Sequence, residues 1–151
     1  KLCVLDIAPT LDMYAGTDFD FARAYYHWFH LIQPAPVPES MIGGDPETYL
    51  RLKMSGWGSN GGGFFEPEDY RASAGIDLEH DRASRARGDK IACELLVMCG
   101  DRGVVHRQFA AQALWQAQCA QTVHYRAVPS GHYIPEELPD LTIEALRDFM
   151  R

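Results

Sequence analysis

The fold of this chain is decided by a short apolar run past its middle, residues 91–98, which read IACELLVM. The run predicts a β-strand. A helical pattern follows over about residues 104–120, then an alternating strand over Thr122–Val128. A final helix is predicted over about residues 142–150, with Ile143, Leu146, Phe149 and Met150 facing inward. The order strand, helix, strand, helix predicts parallel strands joined by right-handed crossovers, and therefore an α/β fold.

A second apolar run, Leu2–Leu5, lies near the start of the chain and predicts a buried strand of the same sheet. Between the two runs the pattern is helical, with an aromatic face formed by Phe21, Tyr25, Trp28 and Phe29 at helical spacing and a further helix over Pro46–Met54. An insertion above the carboxyl ends of parallel strands would cover the place where α/β folds bind ligands. We therefore predict a core strand with its loop (residues 1–15), a helical cap (residues 16–85) and a C-terminal core (residues 86–151).

The composition is that of one globular domain, with 151 residues of which 46% are hydrophobic and 23% charged. Its formal net charge of −7 disfavours nucleic acid, whose phosphates bind basic surfaces. No apolar run approaches the length of about 20 residues that spans a membrane, and no signal-peptide pattern is present. We expect a cytoplasmic protein without a membrane or nucleic-acid partner.

The four cysteines carry no C-x-x-C spacing, which favours buried free thiols over disulfides or a zinc site. Histidine, aspartate and glutamate show no metal-ligand spacing such as H-x-x-x-H. We therefore expect no metal and no cofactor.

A candidate general base lies late in the chain, where Ser130-Gly131-His132 follows the last predicted strand. Asp6 ends the first strand and is a candidate for the carboxylate that orients this base. Asp101, in the turn after residues 91–98, is the alternative partner of His132, and we favour Asp6. A nucleophile elbow of the G-x-[nucleophile]-x-G type is not found in the sequence.

Several short motifs, in one order along the chain, resemble the fluoroacetate (haloacetate) dehalogenases of the α/β-hydrolase superfamily. They are Leu5-Asp6-Ile7-Ala8-Pro9-Thr10, Tyr25-Tyr26-His27-Trp28, Gln33-Pro34-Ala35-Pro36, Glu68-Asp69-Tyr70-Arg71-Ala72, Glu79-His80-Asp81 and Ser130-Gly131-His132. The resemblance covers essentially the whole chain, but only the C-terminal part of such an enzyme.

The resemblance implies a reaction in two steps. An aspartate attacks the carbon that bears the halogen, and a histidine-activated water then hydrolyses the ester. His132 matches the general base and Asp6 its acid partner. His27, Trp28 and Tyr70 match the halide pocket, and Trp57 is a further candidate for it. Their N–H and O–H groups can replace the water of a departing fluoride.

The resemblance also leaves roles unfilled, because the nucleophilic aspartate and the carboxylate-binding arginines belong to the family's N-terminal part. We expect that part as a partner, no turnover by this chain alone, a small haloacid and its halide as ligands, and a homodimer. The stretch from Trp57 to Tyr70 looks shorter than in the family. Two alternatives remain, another capped α/β-hydrolase such as an epoxide hydrolase, or a non-catalytic remnant.

Overall fold

A computed structural model of the chain describes residues 1–54 and 67–151. The strands and helices follow one another in this order: β1 Leu2–Leu5, α1 Thr10–Ala15, α2 Phe19–Ala24, α3 Tyr26–Leu31, α4 Val37–Gly44, α5 Pro46–Met54, α6 Pro67–Ala74, α7 Ile76–Arg87, β2 Leu95–Gly100, α8 Val104–Gln108, α9 Ala111–Gln116, β3 Val123–Val128, α10 Ile134–Glu137 and α11 Pro139–Met150.

The three strands form one parallel sheet in the order β1-β2-β3. Leu2 pairs with Leu95 and Leu95 with Val123, so the carboxyl ends of the strands meet at one edge. Every residue of β2 is buried, as expected of a central strand. The predicted α/β fold with parallel strands is confirmed.

The strand predicted over residues 91–98 begins later than expected, at Leu95. Ile91 makes only an isolated bridge to Cys119. Between them Glu94 stays near the surface, where its carboxylate lies 3.8 Å from the Lys1 amine and 3.6 Å from His124. The half-exposed carboxylate of Glu94 interrupts the buried run, so the strand begins only at the next residue.

The two faces of the sheet pack against different helices, because side chains alternate along β2. Leu95, Val97 and Cys99 belong to a core that includes Phe21 of α2 and Trp28 of α3. Leu96 and Met98 form a second core with α10 and α11. Phe21, Tyr25 and Trp28, which the spacing placed on one helical face, are all buried in the first core, although the helix is broken at Tyr25.

Two details of the predicted C-terminal core are wrong. The helix predicted over residues 104–120 is two short helices, because Phe109 adopts an extended backbone that turns its ring against Phe21, at 5.1 Å between centroids. In α11, Ile143 and Met150 were expected to face inward but are exposed. The helix begins at Pro139, earlier than predicted, and its inward face carries Thr142 and Ala145.

The helices α1–α7, which lie between β1 and β2 in the chain, form what we call the helical segment. It is tied together by ion pairs. The guanidinium of Arg85, on α7, donates two hydrogen bonds of 2.8 and 2.7 Å to the carboxylate of Asp12, on α1. Within residues 1–54 and 67–151, no helix has both the length and the apolarity to cross a membrane. The domain boundaries stay a prediction.

Candidate active site

Asp6 lies directly after β1 and is fully buried. Its φ of 48° falls in the left-handed region that non-glycine residues rarely adopt, so the backbone turns sharply here. Its N–H donates to the Met98 carbonyl at 2.7 Å, and its Oδ1 accepts the Gly100 N–H at 3.0 Å. The turn therefore directs the carboxylate along the carboxyl ends of the strands.

The carboxylate of Asp6 meets His132, which lies 126 residues further along the chain. Nδ1 of His132 is 2.7 Å from Oδ2 of Asp6. A carboxylate at Nδ1 favours the tautomer with its proton on that nitrogen, and leaves the lone pair on Nε2. Asp101, the alternative partner, is exposed, and its N–H donates to Val128. The structure thus joins Asp6, not Asp101, to His132, and the catalytic roles of the pair stay a prediction.

The turn Gly100-Asp101-Arg102-Gly103 imitates a nucleophile motif in composition, but its two glycines lie against Asp6 and against the His132 loop. A Cβ on Gly103 would lie 3.0 and 3.1 Å from the two carboxylate oxygens of Asp6. A Cβ on Gly100 would lie only 2.0 Å from the Gly131 carbonyl oxygen. Both glycines make room for the groups that hold Asp6 and His132, a role that sequence reasoning missed.

A cavity of about 230 Å³ lies where the helical segment meets the carboxyl ends of the strands. His132 lines it, together with three residues predicted for the halide pocket, His27, Trp28 and Tyr70. The remaining lining residues are Ile7, Thr10, Tyr25 and Ser73. Four of the six predicted site residues therefore line one cavity, with Asp6 behind His132. Trp57, the sixth, lies outside the described residues.

Two of the cavity side chains, His27 and Tyr70, are hydrogen-bonding groups that stay uncharged at neutral pH. His27 is 2% exposed, and burial, with the charges of Lys53 and His132, lowers its pKa to about 2. Its imidazole is therefore neutral at pH 7 and carries one N–H. Burial, with the neighbouring Tyr133, Tyr14 and Asp69, raises the pKa of Tyr70 to about 12, which keeps its phenol protonated. The two rings meet edge to face, with centroids 5.8 Å apart.

Tyr25 is a cavity residue that sequence reasoning assigned only to packing. It is 7% exposed and stacks on Phe21 at 5.0 Å between centroids. Burial and the nearby Asp6 raise its pKa, so its phenol stays protonated. Its position beside Tyr26-His27-Trp28 was a usable signal. Ser73, whose hydroxyl donates to the Tyr70 carbonyl at 2.9 Å, carried none.

The described residues contain no group of histidine, cysteine, aspartate and glutamate that could hold a metal ion. The cysteines are free thiols: Cys3, Cys93, Cys99 and Cys119. Burial and the Asp6 carboxylate raise the pKa of the Cys99 thiol to about 12, so this thiol is not a nucleophile at neutral pH.

Comparison with known proteins gives a consistent set of relatives. No protein-family profile matches the chain. A fluoroacetate dehalogenase from Burkholderia sp is 37% identical over an aligned length of 170 residues. The alignment covers 99% of this chain and 55% of that enzyme.

Solved structures agree with this similarity. A provisionally assigned α/β hydrolase from Nostoc sp PCC 7120 is 41% identical with a TM-score of 0.87, over 98% of this chain and 56% of its own. A provisionally assigned epoxide hydrolase from Pseudomonas aeruginosa is 29% identical with a TM-score of 0.81, over 98% of this chain and 55% of its own. The chain thus spans about half the length of these relatives.

Proposed function

We propose that this chain is part of an α/β hydrolase, because it resembles, as predicted, the C-terminal part of a fluoroacetate dehalogenase. We infer that the reaction is hydrolytic dehalogenation of short 2-haloacids such as fluoroacetate. Residues 16–85, the predicted cap, then cover the reacting centre.

The observation that carries this proposal is the meeting of an acid–base pair with neutral donors in one small cavity. His132 lines the cavity and has the Asp6 carboxylate 2.7 Å behind it. On the other walls stand His27, Trp28 and Tyr70. A volume of about 230 Å³ suits a substrate of a few heavy atoms.

In the first step a carboxylate oxygen of a nucleophilic aspartate forms a bond to the carbon that bears the halogen, and the halide leaves with the bonding electrons. Imidazole and phenol groups that stay neutral donate hydrogen bonds to the developing anion without offering it a competing negative charge. The pKa shifts of His27 and Tyr70 keep both groups in this donating form.

In the second step water attacks the ester carbonyl. Nε2 of His132 accepts a proton from that water, and Asp6 stabilises the imidazolium that forms. The tetrahedral intermediate collapses to the aspartic acid and the alkoxide of the hydroxyacid, the alkoxide takes the proton of that acid, and the imidazolium of His132 releases its proton to solvent.

The nucleophile itself is assigned to a part of the enzyme outside these 151 residues. None of the described residues that line the cavity is an aspartate or glutamate, and Asp6 is engaged by Gly100 and His132. The relatives are nearly twice as long as this chain, so they contain room for such a residue. We extend the same proposal to the arginines that bind the substrate carboxylate.

A second function, epoxide hydrolysis, gains support from Tyr25. Opening an epoxide calls for paired tyrosine donors to the ring oxygen, and Tyr25 and Tyr70 both line the cavity. The similarity to a provisionally assigned epoxide hydrolase points the same way. The Burkholderia relative and the additional His27 and Trp28 donors favour the dehalogenase.

Halide release separates these functions. Fluoride and chloride are measured with ion-selective electrodes, from fluoroacetate and chloroacetate, using this chain together with the complementary N-terminal half of the enzyme. Diol formation from styrene oxide is measured in parallel. We expect continued halide release that His132→Gln stops after about one equivalent per enzyme, because the ester is no longer hydrolysed, and that His80→Gln, at an exposed helix position, leaves unchanged. Diol formation without halide release would replace the first function by the second.

A further inference from the structure

The loop that carries His132 leaves β3 at Val128. Its first residues are tied to the turn after β2, because Asp101 N–H donates to the Val128 carbonyl at 2.8 Å and Arg102 N–H to the Ser130 carbonyl at 3.1 Å. These two backbone hydrogen bonds hold the loop at residues that precede His132 in the chain. The placement of His132 also depends on what holds the residue next to it.

Glu137, the last residue of α10, holds that neighbouring residue. Its two carboxylate oxygens lie 3.0 and 3.1 Å from the Gly131 nitrogen and accept its N–H. A carboxylate that accepts a backbone N–H makes a charge-assisted bond, stronger than a bond between neutral groups. The side chain is only 10% exposed, so water competes weakly for it. Glu137 thus fixes the Ser130–Gly131 peptide unit, one residue before His132.

Arg102 connects this carboxylate to the start of the loop. Its Nη2 lies 3.2 Å from Oε2 of Glu137, and its Nη1 donates to the Pro129 carbonyl at 3.0 Å. The guanidinium is 62% exposed, so the ion pair contributes little stability of its own. Its effect is geometric, since one side chain links the turn after β2, the His132 loop and α10.

We propose that Glu137, held by Arg102, is a positioning residue that keeps the imidazole of His132 within hydrogen-bonding distance of Asp6. This inference rests on the proposed function, in which His132 is the base. Glu137 does not line the cavity and acts only through His132. A displacement of about 1 Å in a reacting group can lower a rate about 100-fold, so a remote clamp of this kind has a measurable effect.

The first test compares three variants of the complete enzyme by steady-state halide release. Glu137→Ala removes the acceptor of Gly131 N–H, and we expect kcat to fall about 30-fold to 100-fold while KM changes less than about threefold. Glu137→Gln keeps an amide oxygen as acceptor and is expected to recover most of the loss. Glu136→Ala, at the exposed neighbouring position, is the matched control and should behave as wild type.

The second test reads His132 directly and does not depend on turnover. Selective ¹⁵N labelling of histidine in the complete enzyme reports the Nδ1–H signal and its titration with pH. We expect Glu137→Ala to shift the His132 signals and Glu136→Ala to leave them in place. If Glu137→Ala does not accumulate as folded protein, Arg102→Gln takes its place, with a smaller expected loss of about threefold to tenfold in kcat.

Unchanged His132 signals and unchanged kcat in folded Glu137→Ala would overturn the proposal. A lower melting temperature with normal kcat would assign Glu137 a purely structural role and overturn it as well. Absence of halide release from the wild-type enzyme would instead count against the proposed function, and the histidine signals would still decide the role of Glu137.

Discussion

Gly103 leaves open the space beside the Asp6 carboxylate. A Cβ at position 103 would stand 3.0 Å from Oδ1 and 3.1 Å from Oδ2 of Asp6. The same carboxylate is held on its other sides by Gly100 N–H and by Nδ1 of His132. Any side chain at position 103 would therefore crowd the buried Asp6 carboxylate. That carboxylate cannot move away without loss of its hydrogen bonds to Gly100 and His132.

Gly103→Ala is expected to destabilise the protein by about 1–3 kcal/mol, the usual range for overpacking a tight site. Asp6 is expected to shift, so that turnover falls with stability. Urea unfolding measures the first effect and halide release the second. Gly43→Ala, on α4, is the matched control, because a Cβ added at this position would have nothing within 4 Å. There alanine should be neutral or stabilising, by up to about 1 kcal/mol. Equal effects at both positions would contradict this account.

Asp6→Asn tests which acid serves His132. The amide cannot stabilise an imidazolium and can reverse the favoured tautomer, so we expect hydrolysis of the ester to slow about 1,000-fold to 10,000-fold. The first step does not need His132. The ester on the nucleophile should therefore accumulate and appear as added mass in the intact protein. Asp101→Asn, at the exposed alternative, should change the rate less than about twofold. A large loss at Asp101 with none at Asp6 would reverse the assignment.

The pairing of Asp6 with His132 was predictable from the sequence, because both residues follow strands whose carboxyl ends share one edge of a parallel sheet. The positions of His27, Trp28 and Tyr70 followed from the family resemblance, and the structure brings them to one cavity. Periodicity alone would have left these three residues as packing groups.

Other features depend on contacts that no local pattern records. The glycines at positions 100 and 103 are needed because of groups on β1 and on the His132 loop, which lie far away in sequence. The break at Phe109 arises from packing against Phe21 of α2. Tyr25 serves both the core and the cavity, and helical spacing reports only the first of these roles.

The sheet edge at β1 gives a prediction about assembly. In the described part of the chain β1 pairs with β2 alone, and Leu2 is 38% exposed. Unpaired strand edges with apolar faces promote association. We expect this chain by itself to aggregate, and to become monodisperse when it is produced with the N-terminal half that the proposed function assigns to the enzyme. Analytical ultracentrifugation measures both states. A well-folded monomer of the isolated chain would show that the described strands suffice.

His27 gives a prediction about pH. Burial lowers its pKa to about 2 in the folded protein, whereas an unfolded chain binds the proton near the ordinary value of about 6.5. Below that value the unfolded state binds more protons than the folded state, so stability falls as pH falls towards 2.

From pH 7 to pH 5 this linkage is expected to cost about 2 kcal/mol of unfolding free energy. His27→Gln has no titratable side chain at position 27, so the unfolding free energy of this variant should fall less between pH 7 and pH 5. The difference between wild type and variant in urea unfolding at pH 7 and pH 5 isolates the contribution of His27 from that of other titrating groups. His80→Gln, at an exposed position on α7, is the control and should retain the full wild-type slope. Parallel slopes for wild type and His27→Gln would mean that His27 takes up a proton in the folded state. Its imidazole would then not be the neutral donor that the proposed halide pocket requires.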